Sequence, residues 1–82
     1  MYFVYSIFNE KNNKIYVGQT EDLDRRILFH NQKKFGGWTA SFDGEWKLIY
    51  SEQVGSRKDA LIREKQLKSY RGRQFIKKFI PL

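Results

Sequence analysis

The strongest constraint on the fold lies in the first 18 residues, where two strand-like segments flank a polar turn. Residues 2–8 read Tyr-Phe-Val-Tyr-Ser-Ile-Phe, and aromatic and β-branched side chains of this kind are typical of strands. Residues 9–13 are rich in Asn, which tolerates the left-handed backbone angles of a hairpin tip. Residues 14–18 then return as a second strand. The pattern predicts an antiparallel β-hairpin.

The rest of the chain predicts helices and one more strand. Thr20 is a suitable N-cap for a helix whose first turn is acidic, as the helix dipole favours. Ser56 and Asp59 resemble a capping box at the start of a second helix, which Gly72 would interrupt. Pro81 would end the last helix. The predicted helices span residues 21–32, 57–70 and 73–80, and the third strand spans 46–52 after a loop over 33–45.

These elements predict a single domain over residues 1–82, of the α/β (α+β) class, with a three-stranded antiparallel sheet flanked by helices. A domain this short hides only roughly 60% of its unfolded surface, so its fourteen aromatic residues must supply much of the core. The chain has no Cys and one His, which excludes disulfides, thiolate zinc sites and His-rich metal sites. Any bound metal is therefore expected to be a hard ion with oxygen ligands, such as Mg²⁺.

The net charge of +7 lies entirely in the last third of the chain. Residues 1–56 are balanced, whereas residues 57–82 carry nine Lys and Arg against two acids. Such a block suits a phosphate backbone or an acidic protein surface, and a solvated helix face explains it equally well. No apolar run approaches the ~20 residues of a membrane span, and the N-terminal segment lacks signal-peptide features, so we expect a cytoplasmic protein without membrane contact.

Charged residues beside the predicted apolar stripes are the first indication of a site. Arg26 and His30 lie four residues apart next to the stripe of the first helix, so both project to one side. Glu64 lies between Ala60 and Leu67 on the stripe of the second helix. A buried carboxylate requires a positive partner, which could be a metal ion or Arg26 itself at the sheet edge. Spacing alone leaves both explanations open.

The order of these residues along the chain resembles that of the GIY-YIG nuclease family. Residues 3–5 (Phe-Val-Tyr) stand in the place of Gly-Ile-Tyr, and residues 16–18 (Tyr-Val-Gly) in the place of Tyr-Ile-Gly. Arg26 and His30 match the Arg and His of the family's helix, and Glu64 matches its metal-binding Glu. The chain looks especially like the short stand-alone branch, which is similar to the N-terminal catalytic domain of the excision-repair nuclease (excinuclease). Three features depart from the family pattern, namely the missing first Gly, Val in place of the central Ile of both motifs, and the absence of an Asn after Glu64.

The resemblance implies an endonuclease that hydrolyses DNA phosphodiester bonds with Mg²⁺ (or Mn²⁺), with DNA repair or recombination as its context. Glu64 would hold the metal and Arg26 would donate to the phosphate oxygens. Tyr5 would act as base or relay for the attacking water, Tyr16 would orient the water or phosphate, and His30 would be a secondary hydrogen-bonding or proton-shuttling group.

The basic C-terminal residues would contact phosphates on either side of the cut. They bring affinity but little sequence choice. The alternatives are a nucleic-acid-binding module with the same fold that cuts poorly or not at all, and a small basic protein with an acidic protein partner. No residue predicts an oligomeric state. The predicted nucleic-acid-binding residues are Lys65, Lys68, Arg71, Arg73, Lys77 and Lys78.

Overall fold

The computed structural model describes residues 1–33 and 36–81. It confirms the predicted α+β class, with a three-stranded antiparallel sheet and helices packed on it. The elements in chain order are β1 (Tyr2–Asn9), β2 (Lys14–Thr20), α1 (Leu23–Gln32), α2 (Gly37–Ala40), β3 (Trp46–Val54), α3 (Arg57–Lys68) and α4 (Tyr70–Lys77).

The sheet has the order β2-β1-β3, with β1 in the centre. In the β1–β2 ladder Tyr5 pairs with Gly18, and Ile7 pairs with Tyr16. Tyr5 and Tyr16 are therefore diagonal neighbours on one face and not directly opposite each other. At the turn Asn13 adopts a positive φ of 54°, the left-handed conformation predicted for an Asn at this hairpin tip.

Each face of the sheet has its own apolar cluster because successive strand residues point to opposite sides. On one face Val4 and Val17 pack against residues of α3 and α4, namely Ala60, Leu67 and Ile76. On the other face Tyr5, Ile7 and Trp46 are packed by Leu23 and Ile27 of α1, with Tyr16 and Phe42 at the margin. The helix that carries Arg26 and His30 thus lies across the sheet from the helix that carries Glu64.

The prediction of Thr20 as the N-cap of the first helix is wrong. Thr20 is the buried last residue of β2, and its hydroxyl accepts a hydrogen bond from the backbone of Asp22 at 3.1 Å. Asp22 is the N-cap instead, since its carboxylate accepts from the backbone of Arg25 at 3.2 Å. Asp and Thr are both good caps, so pairing with β1 decided which of them belongs to the strand.

The predicted loop over 33–45 contains the short helix α2, which begins after Gly36. Gly36 and Gly37 both have positive φ, 64° and 73°, a conformation that glycine adopts more readily than other residues. Part of the loop, residues 34 and 35, lies outside the described residues. The three strands extend one or two residues beyond their predicted ends.

The break between the last two helices lies at Ser69 and not at Gly72. Ser69 caps α4 by accepting from the backbone of Gly72 at 3.2 Å. Gly72 is a buried residue within α4, and a Cβ there would lie 2.2 Å from the carbonyl oxygen of Gln66. This glycine therefore permits close approach of α4 to α3 instead of interrupting a helix. The predicted cap at Ser56 is confirmed, with a 3.1 Å bond from the backbone of Asp59.

Candidate active site

A chain of buried hydrogen bonds links Tyr5 of β1 to α1 and α2. The Tyr5 hydroxyl lies 2.8 Å from His30 Nε2, and His30 Nδ1 lies 2.9 Å from the Thr39 hydroxyl. The Tyr5 and His30 residues are 0% and 5% exposed. Both nitrogens of the imidazole thus have a fixed partner, which sets the orientation of the ring.

Trp46 and Asn31 fix the short helix α2 and the end of α1 against β3. The indole nitrogen of Trp46 donates to the Thr39 carbonyl at 3.2 Å. The Asn31 amide donates to the Trp46 carbonyl at 3.0 Å and accepts from the Trp46 backbone N–H at 2.7 Å. His30 is consequently held between two elements that are themselves fixed to the sheet.

Tyr16 covers this buried pair on the side nearer to solvent. Its ring centroid lies 6.2 Å from that of Tyr5 and 5.0 Å from that of His30. Tyr16 is half-buried, unlike Tyr5. The more exposed tyrosine is therefore the one that a bound substrate could reach.

Gly18 makes the close packing of the two tyrosines possible. A Cβ at this position would lie 2.8 Å from the Tyr5 hydroxyl oxygen and 2.8 Å from Tyr16 Cε2. Real Cβ atoms do not approach other atoms so closely, and both atoms belong to rings held in a packed cluster. A glycine is thus required at the strand position paired with Tyr5.

Burial controls the protonation of the inner pair. Burial, with a smaller contribution from the neighbouring Tyr16, raises the pKa of Tyr5, and the charge of Arg26 only partly opposes this. Burial and the Arg26 charge together lower the pKa of His30 to about 4. At neutral pH the pair is therefore an uncharged phenol hydrogen-bonded to an uncharged imidazole.

Arg26 and Glu64 act on Tyr5 through their charges. Arg26 lies on α1 and is half-buried, and it favours the ionised form of Tyr5. Glu64, on α3, raises the pKa of Tyr5, as a negative charge must. Of the five residues predicted from sequence, Tyr5, Tyr16 and His30 are in direct contact, while Arg26 and Glu64 influence Tyr5 electrostatically.

The carboxylate of Glu64 has a positive partner on its own helix. Glu64 Oε2 accepts a hydrogen bond from Lys68 Nζ at 2.8 Å, one helical turn later on α3. The two side chains are 20% and 50% exposed, so the pair lies at the surface and can exchange partners. Within the described residues no group of three or more His, Asp or Glu side chains could hold a metal.

The predicted nucleic-acid-binding residues divide between two surfaces. Lys68, Arg73 and Lys77 line a cleft of about 520 Å³ together with Tyr16 and Trp38, which we call the Trp38 cleft. Arg71 lines a different depression between α3 and α4. The remaining two residues are exposed but line neither cavity, namely Lys65 and Lys78.

Sequence reasoning missed Thr39, Trp38 and Lys14. Thr39 and Trp38 lie in the segment predicted to be a loop, and a four-residue helix is too short to produce a periodic pattern. The adjacent Gly-Gly pair was the only available signal, since it marks a turn that could bring the following residues back to the sheet. Lys14 lines the Trp38 cleft, although the strand pattern predicts no more for it than the first position of β2.

Comparison with known proteins agrees with this architecture. The family model described as the GIY-YIG catalytic domain matches residues 1–78. A UPF0213 protein of Staphylococcus haemolyticus is 32% identical over 76 residues, covering 93% of this chain and 90% of the relative. The UPF0213 protein YhbQ of Escherichia coli K12 is 37% identical over 73 residues, covering 89% of this chain and 71% of the relative.

A solved structure shares the fold. The solution NMR structure of the UPF0213 protein BH0048 from Bacillus halodurans matches with a TM-score of 0.54 and 28% sequence identity. The match covers 93% of this chain and 82% of that one.

Among the described residues, no helix is long and apolar enough to cross a membrane.

Proposed function

Because this chain belongs to the GIY-YIG nuclease family, we propose that it is a metal-dependent endonuclease that hydrolyses DNA phosphodiester bonds. DNA repair or recombination is the context that fits such an activity, by resemblance to the excinuclease. The observation that carries the proposal is the convergence of four side chains on Tyr5. His30 contacts it by a hydrogen bond and Tyr16 by its ring, while Arg26 and Glu64 act on it by charge.

In this proposal the two tyrosines have different roles. Tyr5 is fully buried and its raised pKa keeps its proton in place at neutral pH, so it is a positioning residue. Tyr16 packs on the Tyr5–His30 pair and also lines the Trp38 cleft, so its hydroxyl is the one that would orient the attacking water. His30 holds Tyr5 and has no role as a proton acceptor near neutral pH, because its pKa of about 4 makes it a weak base.

Glu64 suits a hard divalent ion that keeps most of its water ligands. A single, partly exposed carboxylate is a typical protein contribution to Mg²⁺ binding, with substrate phosphate completing the site. Such an ion supplies positive charge for the scissile phosphate and the leaving oxygen. Lys68 must then release Glu64, and its ammonium becomes available to a phosphate on the same side of the site.

Arg26 would complete the electrostatic part of the site. Its guanidinium is permanently charged and presents a planar set of donors that matches phosphate oxygens. It lies on α1, which packs on the face of the sheet opposite to α3 and Glu64.

A second candidate function is a nucleic-acid-binding module that cuts poorly or not at all. The ion pair between Glu64 and Lys68 favours it, because an ammonium already neutralises the carboxylate that the metal would need.

Cleavage of supercoiled plasmid and of flap and mismatched oligonucleotides distinguishes the two functions. With Mg²⁺ or Mn²⁺, wild type should nick these substrates, and EDTA should abolish the activity. Glu64→Gln should lower cleavage by more than about 100-fold, because even loss of an outer-shell partner costs ~10–100-fold in metal sites.

Glu52→Gln is the matched control. Glu52 is also a partly exposed acid held by a cation, Arg63, but that pair lies elsewhere on β3 and α3. Glu52→Gln should therefore cut as wild type does. If wild-type protein binds DNA but cuts no substrate with either metal, the function is that of a binding module.

A further inference from the structure

Trp38 presents an unusual surface for a side chain of its size. It is 49% exposed, whereas Trp46, the other tryptophan, is 1% exposed. One side of the Trp38 ring packs at 4.9 Å from Phe42 and 6.1 Å from Trp46, measured between centroids. The ring is thus supported from within the aromatic cluster and open on the side of the Trp38 cleft.

Tyr16 extends this aromatic surface towards the candidate active site. The Tyr16 and Trp38 rings are nearly parallel, with an interplanar angle of 26° and centroids 6.4 Å apart. Tyr16 also contacts His30, so the aromatic surface runs without interruption from the buried pair to the cleft. A flat group lying on Trp38 would therefore be next to the residue proposed to orient the attacking water.

The charged side chains that line the Trp38 cleft are all positive, and one of them, Lys68, is paired with Glu64. Lys14, Lys68, Arg73 and Lys77 line it, and among the described lining residues there is no carboxylate. The cleft of about 470 Å³ near Arg26 differs, because Glu21 and Asp22 line it beside its arginines. Of these two clefts, only the Trp38 cleft combines uniformly positive charge with an open aromatic face.

Proteins recognise a single strand with two components. Cations bind the phosphate backbone, and an aromatic face stacks on the bases. A base paired within a duplex has both of its faces covered by neighbouring base pairs, so it cannot lie on a tryptophan. We propose that the Trp38 cleft binds an unpaired DNA strand next to the scissile phosphate, with one base stacked on Trp38. The proposal rests on the proposed function for its choice of nucleic acid, and it makes DNA with an unpaired segment at the cut the preferred substrate.

The test compares two strands of equal charge. One is an oligothymidine of about 12 nucleotides, within the usual range of single-strand site sizes, and the other is an abasic backbone with the same number of phosphates. Binding is measured by fluorescence anisotropy in EDTA, so that no cleavage occurs. Wild type should bind the oligothymidine about tenfold more tightly, as one stacked base would provide.

Substitution of Trp38 assigns this preference to the ring. Trp38→Ala should bind both strands equally, and Trp38→Phe should keep most of the preference because any aromatic face can stack. Tyr70→Ala is the matched control, since Tyr70 is 78% exposed and does not line the cleft. It should retain the full preference, and circular dichroism and thermal melting would check that each variant folds.

Intrinsic fluorescence gives a readout that a structural role would not move. Base stacking should quench the emission of Trp38, while the buried Trp46 provides a constant background. Quenching should be seen with wild type and be absent from Trp38→Phe. Equal affinity of wild type for the two strands, or unchanged emission on binding, would overturn the proposal.

Two further outcomes separate this proposal from the proposed function. A protein that prefers the oligothymidine but cleaves nothing would support the single-strand site and contradict the nuclease. A protein that cleaves DNA but binds the abasic strand as tightly as the oligothymidine would support the nuclease and contradict the single-strand site. Displacement of the oligothymidine by a polyglutamate peptide, with the same Trp38 quenching, would identify an acidic protein as the occupant and contradict the proposal.

Discussion

Tyr5 and Glu64 contribute to the same candidate site, yet the protein holds them in contrasting ways. The inner half, formed by Tyr5, His30 and Thr39, is buried and each polar atom of its hydrogen-bond chain has a fixed partner. The outer half, formed by Glu64, Lys68 and the Trp38 cleft, is partly exposed, and its Glu64 carboxylate is held by a surface ion pair with Lys68.

The contrast indicates a division between parts that must stay fixed and parts that must change partners. Buried, satisfied hydrogen bonds are costly to break, so the inner half keeps its geometry whatever binds outside. Exposed ion pairs contribute only about 0–1 kcal/mol to stability. A metal ion can therefore replace Lys68 as the partner of Glu64, and a phosphate can replace Glu64 as the partner of Lys68, at little cost. Perturbing each half should therefore give different kinds of effect.

The largest expected effect is acid destabilisation through the inner half. The pKa of His30 is lowered from 6.5 to about 4 by burial and Arg26, so the unfolded chain binds this proton more readily. The stability that comes from a neutral His30 is complete above pH 6.5 and is lost as the pH falls towards 4, by up to about 3 kcal/mol. Urea denaturation at a series of pH values would measure it.

His30→Gln serves as the reference for this acid effect, because His30 is the only histidine in the chain. The variant should be less stable than wild type at neutral pH. Between pH 6.5 and 4, however, its free energy of unfolding should fall much less than that of wild type. If the variant and wild type had the same pH dependence over this window, His30 would not be held neutral by the inner half.

The next effect concerns the packing of the tyrosines. Gly18→Ala places a methyl group 2.8 Å from atoms of both Tyr5 and Tyr16, so it should destabilise by about 2 kcal/mol, as overpacking does. Cleavage should fall with it, even in conditions where the variant is fully folded, because the two rings must separate. Thermal melting and the plasmid assay are the measurements.

Gly55→Ala controls for the loss of a glycine, since a Cβ at Gly55 would meet nothing within 4 Å. It should melt and cut as wild type does. Equal behaviour of the two alanine variants would show that the tyrosine pair tolerates movement, which would remove the distinction between a fixed and an exchangeable half.

The smallest expected effect is at the outer half. Lys68→Met removes the ammonium that competes for Glu64, so the apparent affinity for Mn²⁺ should rise about twofold, in line with a surface pair one helical turn apart. The rise of melting temperature with Mn²⁺ concentration would measure the affinity. Lys58→Met, at an exposed position near the start of α3, should leave it unchanged.

A metal affinity that fell in Lys68→Met would contradict the exchange of partners at Glu64. It would mean that Lys68 orients the carboxylate for the metal, and the outer half would then be as fixed as the inner half.

Local signals in the sequence were enough for some elements of the fold. Strand composition and the Asn-rich turn predicted the hairpin, and a capping residue at Ser56 predicted the start of α3 correctly. Where two local signals competed, they failed: Thr20 and Asp22 are both good caps, and strand pairing selected Asp22. Gly72 looked like a helix breaker, although its missing side chain serves the contact between α3 and α4.

The sequence by itself determined the α+β architecture, since periodicity and caps depend only on nearby positions. The order of residues along the chain also identified five of the candidate residues, namely Tyr5, Tyr16, Arg26, His30 and Glu64. Tertiary structure alone decided that Tyr5 and His30, which are 25 residues apart, form a hydrogen bond. It also decided that both side chains are neutral, because burial shifts their pKa values. It alone placed Thr39 next to His30, and Trp38 beside Tyr16 in one cleft with Lys68. These relations join different elements of the fold or depend on how a helix is turned towards the sheet, and neither is encoded in the spacing of residues along the chain.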